Sequence, residues 1–267
     1  MNIKHTLTVL VMALLTLTGC NNDDDAVKDT SGTGYLDVEF DNAFAGNDLI
    51  LGAQPNTTSQ NEVLNISLVK YIVSNIVLTK ADGSTFTYPK SQSYFLVNEA
   101  NAESQMLHLT NVPAGDYTKI TFGIGVDKQQ FEQGADGQGD FLAVAQAEDM
   151  LWSWSAGYKF LAFEGTFTSP TVTADTPFMV HTGQIGSNYN YAEVTLNNPT
   201  PALVRTSIKP VIHVVTDVSK FIDGTNKISL SENNAMGMGA MIMGGELLPL
   251  ITANLNGAFK VDHVHND

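Results

Sequence analysis

Five histidines lie beyond the first twenty residues, His108, His181, His213, His263 and His265. Imidazole is the commonest side-chain ligand for transition metals, so these residues are the first candidates for chemistry. The run Asp262-His263-Val264-His265-Asn266 sets two of them two residues apart. In a strand that spacing puts both rings on one face with backbones about 7 Å apart, within reach of one ion. A solvated chain end is the competing reading. His181 follows Phe178-Met179-Val180 and precedes Thr182-Gly183, at a strand end where loops gather binding residues. A hydrogen-bonded core or rim histidine reads equally well there. His213, within Val211-Ile212-His213-Val214-Val215, and His108, between two leucines, read as structural. Met236-x-Met238 and Met241-x-Met243 add thioethers, which select soft ions such as Cu(I), although methionine more often fills irregular gaps. With Trp152 and Trp154, this set suits copper better than calcium or magnesium.

Hard-cation chemistry has a weaker claim. Asp127, Glu132, Asp136, Asp140, Glu148 and Asp149 surround a Gly-rich loop and could take calcium, but their spacing is not that of an EF-hand. A solvated acidic loop is the simpler reading. There is no Gly-x-Ser-x-Gly elbow, no His-Glu-x-x-His helix and no phosphate-binding loop. Gly123-Ile124-Gly125-Val126 reads as strand with packing glycines. The expectation is a protein that is not an enzyme; hydrolysis by paired carboxylates ranks last.

The elements that must position these residues read as strands. Tyr35–Phe40 alternates, Ile66–Leu78 is rich in Val, Ile and Tyr, and Ala81-Asp82-Gly83-Ser84 turns the chain before Thr85–Tyr88. Further strands are expected over 93–97, 106–109, 119–126, 158–167, 178–181, 192–196, 202–215 and 258–264. Short helical turns are expected at 142–151, 218–222 and 249–253. The fold class is therefore all-β, an antiparallel β-sandwich with a few short helical turns. With a formal charge of −15, the chain would repel a polyanion, so nucleic acid is excluded as a partner.

The N-terminal region has the layout of a lipoprotein signal. Lys4 precedes an apolar stretch from Leu7 to Leu17, and Leu17-Thr18-Gly19-Cys20 follows. That stretch falls short of the about 20 apolar residues needed to span a bilayer, so residues 1–19 are expected to be a cleaved signal peptide. Cys20, the single cysteine, becomes the lipidation site, which anchors the chain to a lipid membrane. Residues 20–33, rich in Asn, Asp, Ser, Thr and Gly, read as a flexible acidic tether, and 34–267 as one domain.

Trp152-Ser153-Trp154-Ser155-Ala156-Gly157-Tyr158-Lys159-Phe160, continuing to Phe163-Glu164-Gly165, resembles the signature of the MbnP-like lipoproteins of methanobactin and related copper-handling gene cassettes. Tyr71–Ile76, Val112–Tyr117 leading into Phe122–Asp127, His181-Thr182-Gly183 and the terminal Phe259–Asn266 agree with it in order. The resemblance implies a β-sandwich that binds copper at the periplasm or cell surface, with the outer membrane as the expected site. It implies a di-haem, peroxidase-like partner able to oxidise a tryptophan to kynurenine, and a TonB-type receptor. Trp152 or Trp154 becomes the candidate modified residue; His181, His263 and His265 become candidate metal ligands, with Met236, Met238, Met241 and Met243 as secondary ones. A related kynurenine copper site has a histidine close in sequence to its tryptophan, and here neither tryptophan has one. The rival reading is a metal-free β-sandwich module that docks a receptor or partner enzyme.

Overall fold

A strand of eighteen residues can keep its apolar side chains on one face only if its alternation survives along its length. In Val63–Lys80 the inward residues are Leu64 and Ile66, then Val69, Tyr71 and Val73, then Ile76 and Leu78, so the phase slips twice. Each slip coincides with a register shift, between Ile66 and Leu68 against one neighbour and between Ser74 and Val77 against another. Asn75 takes a positive φ of 53° at the second, a conformation that Asn tolerates better than most residues. This strand is the spine of the larger sheet.

A computed structural model describes residues 30–53, 55–153, 157–185 and 188–267. The signal peptide, Cys20, most of the tether and Trp154 lie outside the described residues. In chain order the strands are β1 (Thr33–Phe44), β2 (Asn47–Asp48), β3 (Pro55–Thr57), β4 (Val63–Lys80), β5 (Thr85–Thr87), β6 (Tyr94–Asn98), β7 (Met106–Pro113) and β8 (Gly115–Ile124). They continue as β9 (Lys159–Thr168), β10 (Thr176–Ile185), β11 (Asn188–Tyr189), β12 (Ala192–Val204), β13 (Pro210–Asp217), β14 (Ala240–Ile242) and β15 (Phe259–Asn266). The smaller sheet runs β15-β13-β1-β2 with β7 also on β1; the larger runs β11-β10-β9-β4-β8-β12, with β14 on β10 and β3, β5 and β6 on β4. Most pairings are antiparallel, while β1–β13 and β10–β14 are parallel. The protein is an all-β sandwich with few short helices, as the alternation implied.

The main core lies between the sheets. Phe40 of β1 makes edge contacts with Tyr71, Phe122 and Phe259, at centroid separations of 6.1, 5.3 and 6.3 Å. Such aromatic pairs add to plain area burial because ring edges and faces carry opposite partial charge. A second, smaller core covers the outer face of the larger sheet, where Ile72, Leu96, Phe160 and Ala162 meet Val126, Phe141, Ala145, Met150 and Tyr158. Those covering residues come mostly from the connection between β8 and β9, which holds two short helices, α1 (Lys128–Glu132) and α2 (Phe141–Ala147). Among the described residues no helix is long and apolar enough to cross a membrane.

Two expectations about the elements change. The stretch 202–215 is two strands, because Arg205 breaks it: its buried guanidinium donates to the carbonyls of Gly115 and Val204 and to Asp116 Oδ1, pinning the turn to β8. The helix expected over 142–151 closes at Ala147, and Asp149 turns the chain with a φ of 57°.

Candidate metal centre

Apart from His108, the described histidines fall into one three-membered cluster and one isolated site at His181, on opposite outer faces of the sandwich. On the smaller sheet, Ile212 and Val214 of β13 and Val38 and Phe40 of β1 point into the main core, so His213 and Glu39 point outward. They are paired in register across the two strands, and a carboxylate oxygen of Glu39 accepts from His213 Nδ1. On β15 a register shift alters the alternation. Val261 pairs with Val214 and His263 with His213, so Asp262 is an extra residue and the strand changes phase there. Phe259 and Val261 therefore face inward while His263 and His265 face out.

The three rings form one group. One nitrogen of each of His213, His263 and His265 lies within 4.8 Å of one from each other ring. His263 Nε2 is 3.1 Å from His265 Nε2, and His263 Nδ1 is 2.9 Å from Asp262 Oδ2. His213 stacks on His263 with centroids 4.1 Å apart, and His265 stands edge-on to both. Burial pushes the His213 pKa down, the Glu39 charge opposes that shift, and the neighbouring imidazoles add to it; the net shift is downward. The neutral, ligating form is favoured accordingly.

The other site sits on the outer face of the larger sheet. There Phe178 and Val180 of β10 enter the main core, which turns His181 the other way, beside Glu164 of β9. His181 Nε2 donates to Glu164 Oε1 at 2.7 Å, and this bond holds the Glu164 carboxyl below its ordinary value despite partial burial. His181 Nδ1 is buried with no hydrogen-bond partner. The indole of Trp152, only 5 % exposed, lies against the imidazole with centroids 6.0 Å apart at 50°. Gly183 makes room for it. A Cβ there would stand 2.5 Å from the Tyr158 carbonyl oxygen and 2.9 Å from Trp152 Cζ2. Trp152 also walls a recess of about 410 Å³ shared with Phe131, Leu142, Leu151 and Tyr158.

The sequence-based ligand set is thus divided. His181 does not join His263 and His265, because it belongs to the other sheet; His213, read as structural, takes that place. The histidine that neither tryptophan has nearby in sequence is delivered to Trp152 by β10. Glu39 was not singled out by sequence reasoning, and Glu164 and Gly183 stood only as parts of the resembling blocks, with no role until strand pairing placed them. The methionine segment divides between a turn and a strand. Met236 and Met238 are 91 % and 66 % exposed on a turn, whereas Met241 lies in β14 in register with Met179 of β10. His108 is a surface residue paired with Asp37 at 2.9 Å, as its structural reading implied.

The acidic loop does not assemble as a calcium site. Glu148 bonds Lys70 at 2.9 Å, Asp149 lies 3.3 Å from Lys159, and Glu132 faces Lys128. Among the described residues the only three such donors that converge are the histidines of the smaller sheet. Asp127 instead caps α1, accepting from the Gln130 amide at 3.1 Å, from Asn75 Nδ2 at 2.7 Å and from the Tyr94 hydroxyl. Burial pushes its carboxyl up, but these bonds and the Lys90 charge outweigh burial and hold it below the ordinary carboxylate value. A carboxyl depressed by folding adds stability above its unfolded pKa, and that stability is lost as pH falls through the folded value. Asp127→Asn keeps a good capping side chain and removes the charge. The variant is expected to be less stable than wild type near neutrality, with the gap closing below about pH 4. Urea unfolding at a series of pH values measures this; parallel acid limbs would show that the charge contributes nothing.

A family model described as MbnP matches residues 33–242. The chain belongs to the MbnP family. Among solved structures, MbnP from Methylosinus trichosporium is similar at 14 % identity with a TM-score of 0.46, over 80 % of this chain and 81 % of that one. No curated protein matches. Trp152, His181, Glu164 and Gly183 all fall within the span matched to the MbnP family, whereas His263 and His265 lie beyond it. Membership suggests a methanobactin-associated, copper-related protein.

Proposed function

We propose that this MbnP-family protein is an exported lipoprotein, anchored through Cys20 to the outer membrane and facing the periplasm or cell surface, that binds copper without being an enzyme. The copper site is the Trp152–His181–Glu164 cluster. One observation carries this reading: His181 is buried against Trp152 with Nε2 held by a carboxylate and Nδ1 unpartnered. Metal-ligating histidines characteristically donate their second nitrogen to a carboxylate, which fixes the tautomer and the ring direction. A buried polar atom with no partner also costs free energy, so the vacant Nδ1 calls for a ligand. These residues fit a soft or borderline ion, and Met179 and Met241 share the outer face of the same sheet edge.

Unmodified indole offers a metal no lone pair. Oxidation of Trp152 to kynurenine would supply one, with a di-haem, peroxidase-like partner as catalyst and peroxide as oxidant. Two peroxide oxygens enter across the indole C2–C3 bond, which breaks, and the other two leave as water. Hydrolysis then releases formate and exposes an aromatic amine and a ketone. The recess beside Trp152 gives the otherwise buried ring an open edge. Copper bound there would be cargo passed to or from a TonB-type receptor.

The test is copper content together with intact mass and peptide mapping on protein from the native host, for wild type and His181→Ala. Copper in wild type, kynurenine at Trp152 and copper loss in the variant support the proposal. Copper with an unmodified Trp152 removes the oxidation step. No copper from copper-replete cells removes the reading and favours a metal-free docking module.

A further inference from the structure

The cluster on the smaller sheet is remote from Trp152: its side chains leave the opposite outer face, with the main core between them. We infer that His213, His263 and His265 form a second, independent metal site that takes a divalent, imidazole-preferring transition ion such as Zn²⁺ or Cu²⁺. The family match ends before two of its three ligands, and the resemblance that offered His263 and His265 set them with His181 rather than with His213.

The donor geometry carries the inference. Adjacent nitrogens around a tetrahedral or tetragonal ion stand about 2.9–3.4 Å apart, given metal–nitrogen distances near 2.0–2.1 Å. His263 Nε2 and His265 Nε2 are already 3.1 Å apart, and His213, stacked on His263, offers a nitrogen within 4.8 Å of both rings. Without an ion, one of those two nitrogens must donate a proton to the other, and binding replaces that single bond with coordination. Two of the rings carry the outer support that metal histidines need, Glu39 on His213 Nδ1 and Asp262 on His263 Nδ1, which leaves Nε2 of each as the ligating atom. Three imidazoles on an exposed strand surface leave a fourth position open to water or to an incoming ligand.

The surroundings favour a cation independently. Asp41, Asp48, Asp217 and Asp262 line a recess of about 480 Å³ on the same face, with Lys260 the basic residue in its lining and Lys220 3.9 Å from Asp217. Their summed field concentrates cations at the rings. The sheet also prepays the ordering of the ligands, because β13 and β15 hold the backbones of His213 and His263 in register.

Titrating the mature protein with Zn²⁺, followed by calorimetry, tests the site without relying on any oxidation of Trp152. Wild type is expected to bind one ion here. His263→Ala combined with His265→Ala should weaken that binding by about 100-fold or more, and Glu39→Gln by about 10-fold through loss of ring orientation. His181→Ala and Trp152→Phe should leave it unchanged, so this site and the proposed copper site fail separately. Calcium should not compete. With Cu²⁺, electron paramagnetic resonance should show three nitrogen couplings, which fall to two with His213→Ala. Unchanged Zn²⁺ affinity in the double variant, absence of binding in wild type, or loss of the site in His181→Ala would each overturn the inference. The two terminal histidines are exposed, so an unaltered thermal midpoint separates ligand loss from misfolding.

Discussion

Phe40→Ala is expected to lower the unfolding free energy by about 3–5 kcal/mol, as removal of a fully buried aromatic does when its surroundings cannot collapse into the gap. Phe40 has no exposed surface, and its partners Tyr71, Phe122 and Phe259 come from β4, β8 and β15. One ring thus joins the smaller sheet to the larger and both to the terminal strand. Tyr71 cannot move into the space easily, because its hydroxyl donates to Asn42 Oδ1 at 3.0 Å and lies 3.0 Å from Thr216 Oγ1. Urea titration measures the loss, and Phe40→Leu should recover part of it. A cost below about 1 kcal/mol would mean that the core repacks around the gap and that the aromatic group is not the tie described here.

Glu62→Ala should cost about 3 kcal/mol or more by a different route. This carboxylate is 1 % exposed and accepts from the amides of Leu230 and Ser231 at 3.1 and 2.7 Å and from Ser229 Oγ at 3.1 Å. Removing it leaves backbone N–H groups without acceptors, each worth about 1–3 kcal/mol when buried. Ile228 and Leu230 are then less firmly held in the core. Glu62→Gln keeps one acceptor oxygen but turns an NH₂ group toward the donors, so it should fall between wild type and Ala. Thermal denaturation of the three proteins orders them; equal stability of Glu62→Ala and wild type would show that water replaces the carboxylate at no cost.

The sheet pattern was largely legible, since Tyr35–Phe40 and the strands after it carry their inward faces as a period of two. The sites were less so, because period two misleads where a bulge intervenes. Read strictly, Phe259, Val261, His263 and His265 share one face, which would drive both histidines into the core. The extra residue at Asp262 undoes that, and nothing local in the sequence marks it. His213 looked structural because Ile212 and Val214 flank it, although flanking residues in a strand face the opposite way. Its role depends on a parallel pairing with β1 and an antiparallel one with β15, links across about 170 and 50 residues that no short motif encodes. Trp152 and His181 likewise meet only after β9 and β10 pair. The Trp-rich block and His181-Thr182-Gly183 were visible as resemblance, but Gly183 acquires its meaning from the indole that occupies the space where its side chain would be.

The position of β1 has a mechanical consequence. The first strand of the fold lies inside its sheet, bonded along one edge to β13 in parallel and along the other to β7 and β2. A pull applied through the residues before Thr33 runs along the strand axis, so the hydrogen bonds of both ladders share the force at once instead of opening one after another as at a peeled edge. Rupture then demands sliding β1 past its neighbours on both sides while Phe40 is dragged from its aromatic cage. Under the proposed anchoring through Cys20, tension on that end would leave both histidine-bearing surfaces of the sandwich intact.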